Sequence, residues 1–103
     1  MSEKDIQAAI IQYLEIKRIF HYRNNTGAFV RPDTKSFYRF GVPGAPDVIC
    51  VINGKFIGIE VKRPGGKQSA HQQGFQASLE QAGGIYILAY SLDDVIQALK
   101  SIP

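Results

Sequence analysis

Apolar positions recur along the chain with two periods, and the switches between them lay out the elements. Ile6, Ile10 and Leu14 fall at i, i+4 and i+8 with Tyr13 beside them, one stripe of a helix. Ser2 stands at the cap position and Asp5 follows three residues later, a capping-box spacing, so a helix is expected from about Glu3 to Lys17. Ile19 to Arg23 is β-branched and aromatic and predicts a short strand, closed by Asn24-Asn25-Thr26-Gly27. Ala28 to Phe37 shows no clear period. Pro32 argues against a central strand there, and Arg31, Asp33 and Lys35 make it polar, so it reads as a loop.

Gly41-Val42-Pro43-Gly44-Ala45-Pro46 predicts a constrained turn, because proline fixes φ and glycine reaches φ values closed to other residues. Val48 to Ile52 is a continuous apolar run, as in a strand buried on both faces. Asn53-Gly54 then signals a type I′ hairpin, with Lys55 to Lys62 returning antiparallel and Pro64-Gly65-Gly66 ending it. Ser69 opens a second helix with Gln72 at the capping-box position; Phe75, Leu79 and Ala82 form its stripe, and Gly83-Gly84 stop it. Ile85 to Tyr90 is another strand. Ser91, with Asp94 three residues on, caps a last helix whose Val95, Ile96 and Leu99 face the core. This order predicts an α/β fold, a central mixed sheet flanked by helices. The strands before and after the second helix are expected to be parallel neighbours through a right-handed crossover.

The 103 residues fit a single domain, 1–103. With 45% hydrophobic and 20% charged residues the balance is that of a globular chain, which sets disorder aside. One cysteine, Cys50, permits no internal disulfide, so a reducing cytoplasm is the expected setting. Met1 to Asp5 shows no apolar run behind a basic start, so no signal peptide is expected, and no stretch approaches the roughly 20 apolar residues of a membrane helix. A net charge of +3 permits a nucleic-acid partner without requiring one.

The chemistry concentrates in Pro46-Asp47 and Glu60-Val61-Lys62. Glu60 and Lys62 share one face of their strand and Val61 the other. Counting outward from Ile52 opposite Lys55 puts Asp47 across from Glu60. Two carboxylates at adjacent strand positions can share a hard cation, Mg²⁺ or Mn²⁺ rather than Zn²⁺, and the Val61 carbonyl can add a third oxygen. A water held there becomes a nucleophile, with Lys62 beside it to orient it or to stabilise charge developing on a phosphate. An isolated Glu-x-Lys is ordinarily a solvated pair. The opposed Asp47 and the apolar strands that both acids flank make this one a candidate site.

These residues resemble the motif of the PD-(D/E)xK nucleases, and more narrowly the virus-type replication-repair nuclease (VRR-NUC) domain. The matching stretches are Glu3 in the first helix, Arg39 to Asp47, Gly54 to Lys62, Ser69-Ala70-His71-Gln72 and Gly83-Gly84, which together span nearly the whole chain. The resemblance implies an αβββαβ restriction-endonuclease-like core and Mg²⁺- or Mn²⁺-dependent hydrolysis of DNA phosphodiesters. It also implies action on branched DNA such as Holliday junctions, in DNA repair, by a homodimer. It implies that Asp47 and Glu60 bind metal, that Lys62 is catalytic and that Gln72 lies near the active site. A phage or mobile-element origin, and hence a host cytoplasm, is a further implication.

Other residues carry two readings each. Glu3 reaches the metal, as the resemblance suggests, or places favourable charge at a helix N-terminus. Gln72 touches the active site, closes a capping box with Ser69, or does both. His71 is a possible general base, but a metal activates water without it. His21 reads as an ordinary strand residue and Cys50 as core. Arg39, Arg63 and Lys67 flank the site and are the preferred phosphate contacts. Tyr22, Phe37 and Tyr38 stack on unpaired bases or belong to the core. Asn24 and Asn25 mark a turn. The Ala28–Phe37 loop is expected on the DNA side. The sequence is also compatible with two rival functions: a non-catalytic nucleic-acid-binding module, which needs neither metal nor Asp47, and a nuclease preferring linear duplex.

Overall fold

The computed structural model describes residues 1–24 and 27–103, without the side chains of residues 27–29 and 38–40. The elements are α1 (Glu3–Ile16), β1 (Phe20–Arg23), β2 (Gly27–Val30), β3 (Phe37–Phe40), β4 (Val48–Ile52), β5 (Lys55–Val61), α2 (Ala70–Gln81), β6 (Ile85–Ala89) and α3 (Leu92–Lys100). Asn25 and Thr26, expected to help close β1, lie outside the described residues.

β1, β4, β5 and β6 form a mixed sheet in that order: the first three are antiparallel neighbours, and β6 runs parallel to β5 with α2 between them in sequence. The β4–β5 hairpin has the predicted register, Ile52 opposite Lys55 and Val48 opposite Ile59. Asn53 (φ 51°) and Gly54 (φ 79°) both sit in the left-handed region that a type I′ turn demands.

Alternation divides the sheet into two faces. Val48, Cys50, Ile57, Ile59, Val61, Ile87 and Ala89 form the core face, packed with Ile6, Ile10 and Leu14 of α1 and Val95 of α3. Pro46 is also fully buried. The opposite face carries Glu60, Lys62, Tyr86, Leu88 and Tyr90, and α2 covers part of it. A β-carbon on Gly58 would collide with the Pro46 ring and reach ordinary contact with Leu79 of α2 at 3.5 Å, so Pro46 and α2 close directly over this glycine.

Two expectations are corrected. The Ala28–Phe37 stretch is not a structureless loop: its ends belong to β2 and β3, which pair as a separate antiparallel ribbon with Val30 opposite Phe37. Pro32 falls in the connection, where no ladder needs its missing N–H. Ala82 is not part of a buried stripe; it is the exposed C-cap of α2, which has no fully buried residue and leans on half-buried Phe75 and Leu79. Smaller shifts occur at element ends: Lys17 caps α1 rather than extending it, and β1 begins at Phe20. All three helices have the predicted serine caps. Ser2 Oγ accepts from Asp5 N–H at 3.1 Å, Ser69 and Gln72 form a reciprocal box, and Ser91 Oγ accepts from Asp94 N–H at 3.3 Å. Among the described residues no helix is long and apolar enough to cross a membrane.

Candidate metal centre

Asp47 stands one step before β4, where three strands converge on it. The β1–β4 register pairs Arg23 with Val48, and one further step sets Asn24 against Asp47. The Asn24 N–H donates to the Asp47 carbonyl at 2.8 Å, and the Asn24 side-chain amide donates to the Pro46 carbonyl at 3.2 Å. On the other side the register of Val48 with Ile59 continues to Asp47 with Glu60. Asp47 Oδ2 accepts from the Val61 N–H at 2.8 Å. Along an extended strand a residue's N–H and C=O point to the same edge, so the Val61 carbonyl faces the Asp47 side too.

Glu60 is 3% exposed, the one buried charged residue among those described, and its Oε1 has no hydrogen-bond partner. Its carboxyl is pushed up to about 8, first by burial and then by contact with Asp47 and that group's charge; the Lys62 ammonium pulls it back and Glu3 adds a small upward push. Lys62 and Glu3 are therefore both within electrostatic reach. Glu3 itself is exposed in the first turn of α1. Lys62 is half-buried, and its stem lies against Gly66, where a β-carbon would be 3.4 Å from Lys62 Cβ. Tyr90 pins that turn, its hydroxyl donating to the Gly66 carbonyl at 3.1 Å.

The turn that delivers Asp47 docks on the start of α2. Gly44 has φ 80°, and a β-carbon there would fall inside the His71 carbonyl and 2.9 Å from the Gln72 nitrogen. Gln72 is thereby held near the site. Its Oε1 accepts from the Ser69 N–H at 2.8 Å, so the capping role is filled and its Nε2 donors remain for other work. Arg63, Lys67 and His71 are exposed; the Arg39 and Tyr38 side chains lie outside the described groups. Tyr22 and Phe37 are on the surface, 48% and 63% exposed, rather than in the core. His21 Nδ1 lies 2.8 Å from the Ile19 carbonyl, a local strand contact. Cys50 is core, and burial pushes its thiol up to about 11.

Four residues were missed from the sequence. Asn24 holds the backbone of Pro46 and Asp47, and Tyr90 holds the turn after Lys62. Tyr86 is 8% exposed with its hydroxyl unpartnered, and Gln68 lies beside it. Only the strand periodicity, which sets Tyr86 and Tyr90 on the Glu60 face, could have pointed to the tyrosines.

Among the described residues no three His, Cys, Asp or Glu side chains close round one point. The oxygens available to a cation here are those of two carboxylates, Asp47 and Glu60, and the Val61 carbonyl. That set fits Mg²⁺ or Mn²⁺, which use one or two carboxylates and retain waters, and it lacks the nitrogen and sulfur ligands of a structural zinc site. A buried Glu60 against Asp47 needs either a proton or a cation to relieve the like charges. No protein-family model matches the chain, and no curated protein matches it in sequence.

Proposed function

We propose that this chain is a divalent-metal-dependent deoxyribonuclease of the PD-(D/E)xK type, close to the VRR-NUC pattern. The observation that supports it best is the meeting of Asp47 with the Glu60-Val61-Lys62 strand, through the 2.8 Å hydrogen bond to Val61 and the raised Glu60 carboxyl. In this reading Asp47, Glu60 and the Val61 carbonyl would hold Mg²⁺ or Mn²⁺, with Glu3, exposed on α1, within electrostatic reach of Glu60. A cation held by these oxygens would supply Lewis acidity to a phosphoryl oxygen and would lower the pKa of a bound water.

The chain's own groups do the rest. Lys62, anchored by its stem against Gly66, presents an ammonium that orients the attacking water and stabilises charge on the phosphate. Gln72 offers its Nε2 donors to the substrate. Arg63 and Lys67, exposed on the turn after β5, receive flanking phosphates, as does Arg39. Branched DNA such as a Holliday junction is the proposed substrate, and a homodimer would bring one site to each of two strands.

The test is cleavage of a labelled four-way junction beside a matched linear duplex, in Mg²⁺, Mn²⁺ or EDTA, with wild type and Lys62→Ala. Metal-dependent junction cutting that needs Lys62 is the expected result. Equal cutting of linear duplex redirects the substrate. Folded, metal-loaded protein that cuts neither argues for a binding module.

A further inference from the structure

Two polar atoms are sealed from solvent without a hydrogen-bond partner among the described residues, Glu60 Oε1 and the Tyr86 hydroxyl. They belong together. β6 pairs with β5 so that Tyr86 is opposite Gly58 and Leu88 opposite Glu60, which makes Tyr86 the diagonal neighbour of Glu60 on the α2 face. Gly58 has no side chain of its own, and Pro46 packs over it. Diagonal positions on one face lie roughly 7 Å apart, within the span of an aromatic side chain. The Tyr86 phenol is within electrostatic reach of both Glu60 and Asp47, and a phenol holds its proton at neutral pH, so it is available as a donor. Gln68 lies beside the phenol, but its amide donates to Gln76 Oε1 at 2.9 Å, and Gln76 donates on to Glu80 at 3.4 Å. A donor hydroxyl, an acceptor carboxyl oxygen and an amide are thus brought within mutual reach on the buried α2 face of the sheet. A buried water typically makes about three hydrogen bonds to otherwise unsatisfied groups of this kind.

We propose that Tyr86 is a positioning residue of the candidate metal centre, fixing the Glu60 carboxylate from behind through one shared water that Gln68 also holds. Oε1 is thereby committed to the tyrosine side, which leaves the other carboxylate oxygen for the cation. Tyr86 does not touch substrate; it acts through Glu60. The inference rests on the metal-centre reading above.

The experiment compares wild type with Tyr86→Phe, which deletes one oxygen, and with Gln68→Leu, which removes the third partner without touching β6. Mn²⁺ affinity is measured by titration, and the ¹³C resonance of the Glu60 side-chain carboxyl is followed in metal-free protein. A merely structural tyrosine would move thermal stability and neither of these. The expected result is a Tyr86→Phe protein as stable as wild type, with Mn²⁺ binding weakened about tenfold and the Glu60 resonance displaced. Gln68→Leu should shift both in the same direction by less. Unchanged affinity and an unchanged resonance in Tyr86→Phe, in a background where wild type binds Mn²⁺ and cuts DNA, overturn this inference alone. A wild type that binds no Mn²⁺ overturns the metal centre and the inference with it.

Discussion

The Asp47 carboxylate accepts a hydrogen bond from the backbone N–H of Val61 at 2.8 Å, which ties the residue before β4 to the strand between Glu60 and Lys62. The contact gives Asp47 two separable roles. Asparagine can still accept that hydrogen bond through its amide oxygen, while alanine cannot. Asp47→Asn should therefore leave the urea midpoint nearly unchanged and reduce cleavage at least about a hundredfold. Asp47→Ala should lose cleavage and also about 1.5–3 kcal/mol of stability, the range for a hydrogen bond to a charged group. Wild-type cleavage by Asp47→Asn would remove Asp47 from the site.

Glu60 makes metal-free stability depend on pH. Its folded pKa of about 8 lies above the ordinary 4.5, so between these values the folded chain holds a proton that the unfolded chain has released. The stability associated with this group is full below pH 4.5, declines as pH rises, and is gone above about 8. The slope is at most about 1.4 kcal/mol per pH unit. Urea unfolding in EDTA from pH 5 to 9 should show the decline, and Glu60→Gln should flatten it. A stability that rises across this window contradicts the assignment.

Divalent metal should reverse that trend. A cation competes with the proton on Glu60, so Mg²⁺ or Mn²⁺ should raise the melting temperature more at pH 8.5 than at pH 6. At a hundredfold excess over the dissociation constant the gain is about 2.7 kcal/mol, which for a domain of this size is a rise of roughly ten degrees or more. Glu60→Gln should abolish the shift, as read by differential scanning fluorimetry.

Gly44 and Gly54 separate backbone strain from collision. Both have positive φ, but a β-carbon at Gly54 meets nothing within 4 Å, while at Gly44 it strikes the first turn of α2. Gly54→Ala should lower stability by about 1 kcal/mol and leave cleavage intact. Gly44→Ala should lower stability by about 1–3 kcal/mol and cleavage at least tenfold, because the turn carrying Asp47 must move. Equal behaviour in the two variants would show that docking on α2 does not position Asp47.

The legible parts of this protein are those governed by short-range rules. Asn53-Gly54 between apolar runs sets the hairpin register, and the register alone brings Asp47 to Glu60. Serines followed three residues later by Asp or Gln start all three helices as read. The β2–β3 ribbon escapes that reading because its strands have four residues each, too few to establish a period beside Pro32. Asn24 reads as turn chemistry, yet its amide reaches Pro46, 22 residues away, a contact no local pattern encodes. Tyr86 is a strand aromatic like any other until the parallel pairing of β5 and β6 sets it beside Gly58. Ala82 continues a helical spacing that the chain has already left for its cap.

The absence of a fully buried residue in α2 makes the three helices unequal in how they open. Core-packed α1 should show slow amide hydrogen exchange, near the rate set by global unfolding. α2, held by half-buried Phe75 and Leu79, should exchange through a local excursion of much lower free energy. The helix that bears Gln72 is then a separately opening unit laid over a rigid sheet. Access to the acidic pair can change while the core that aligns its carboxylates stays closed.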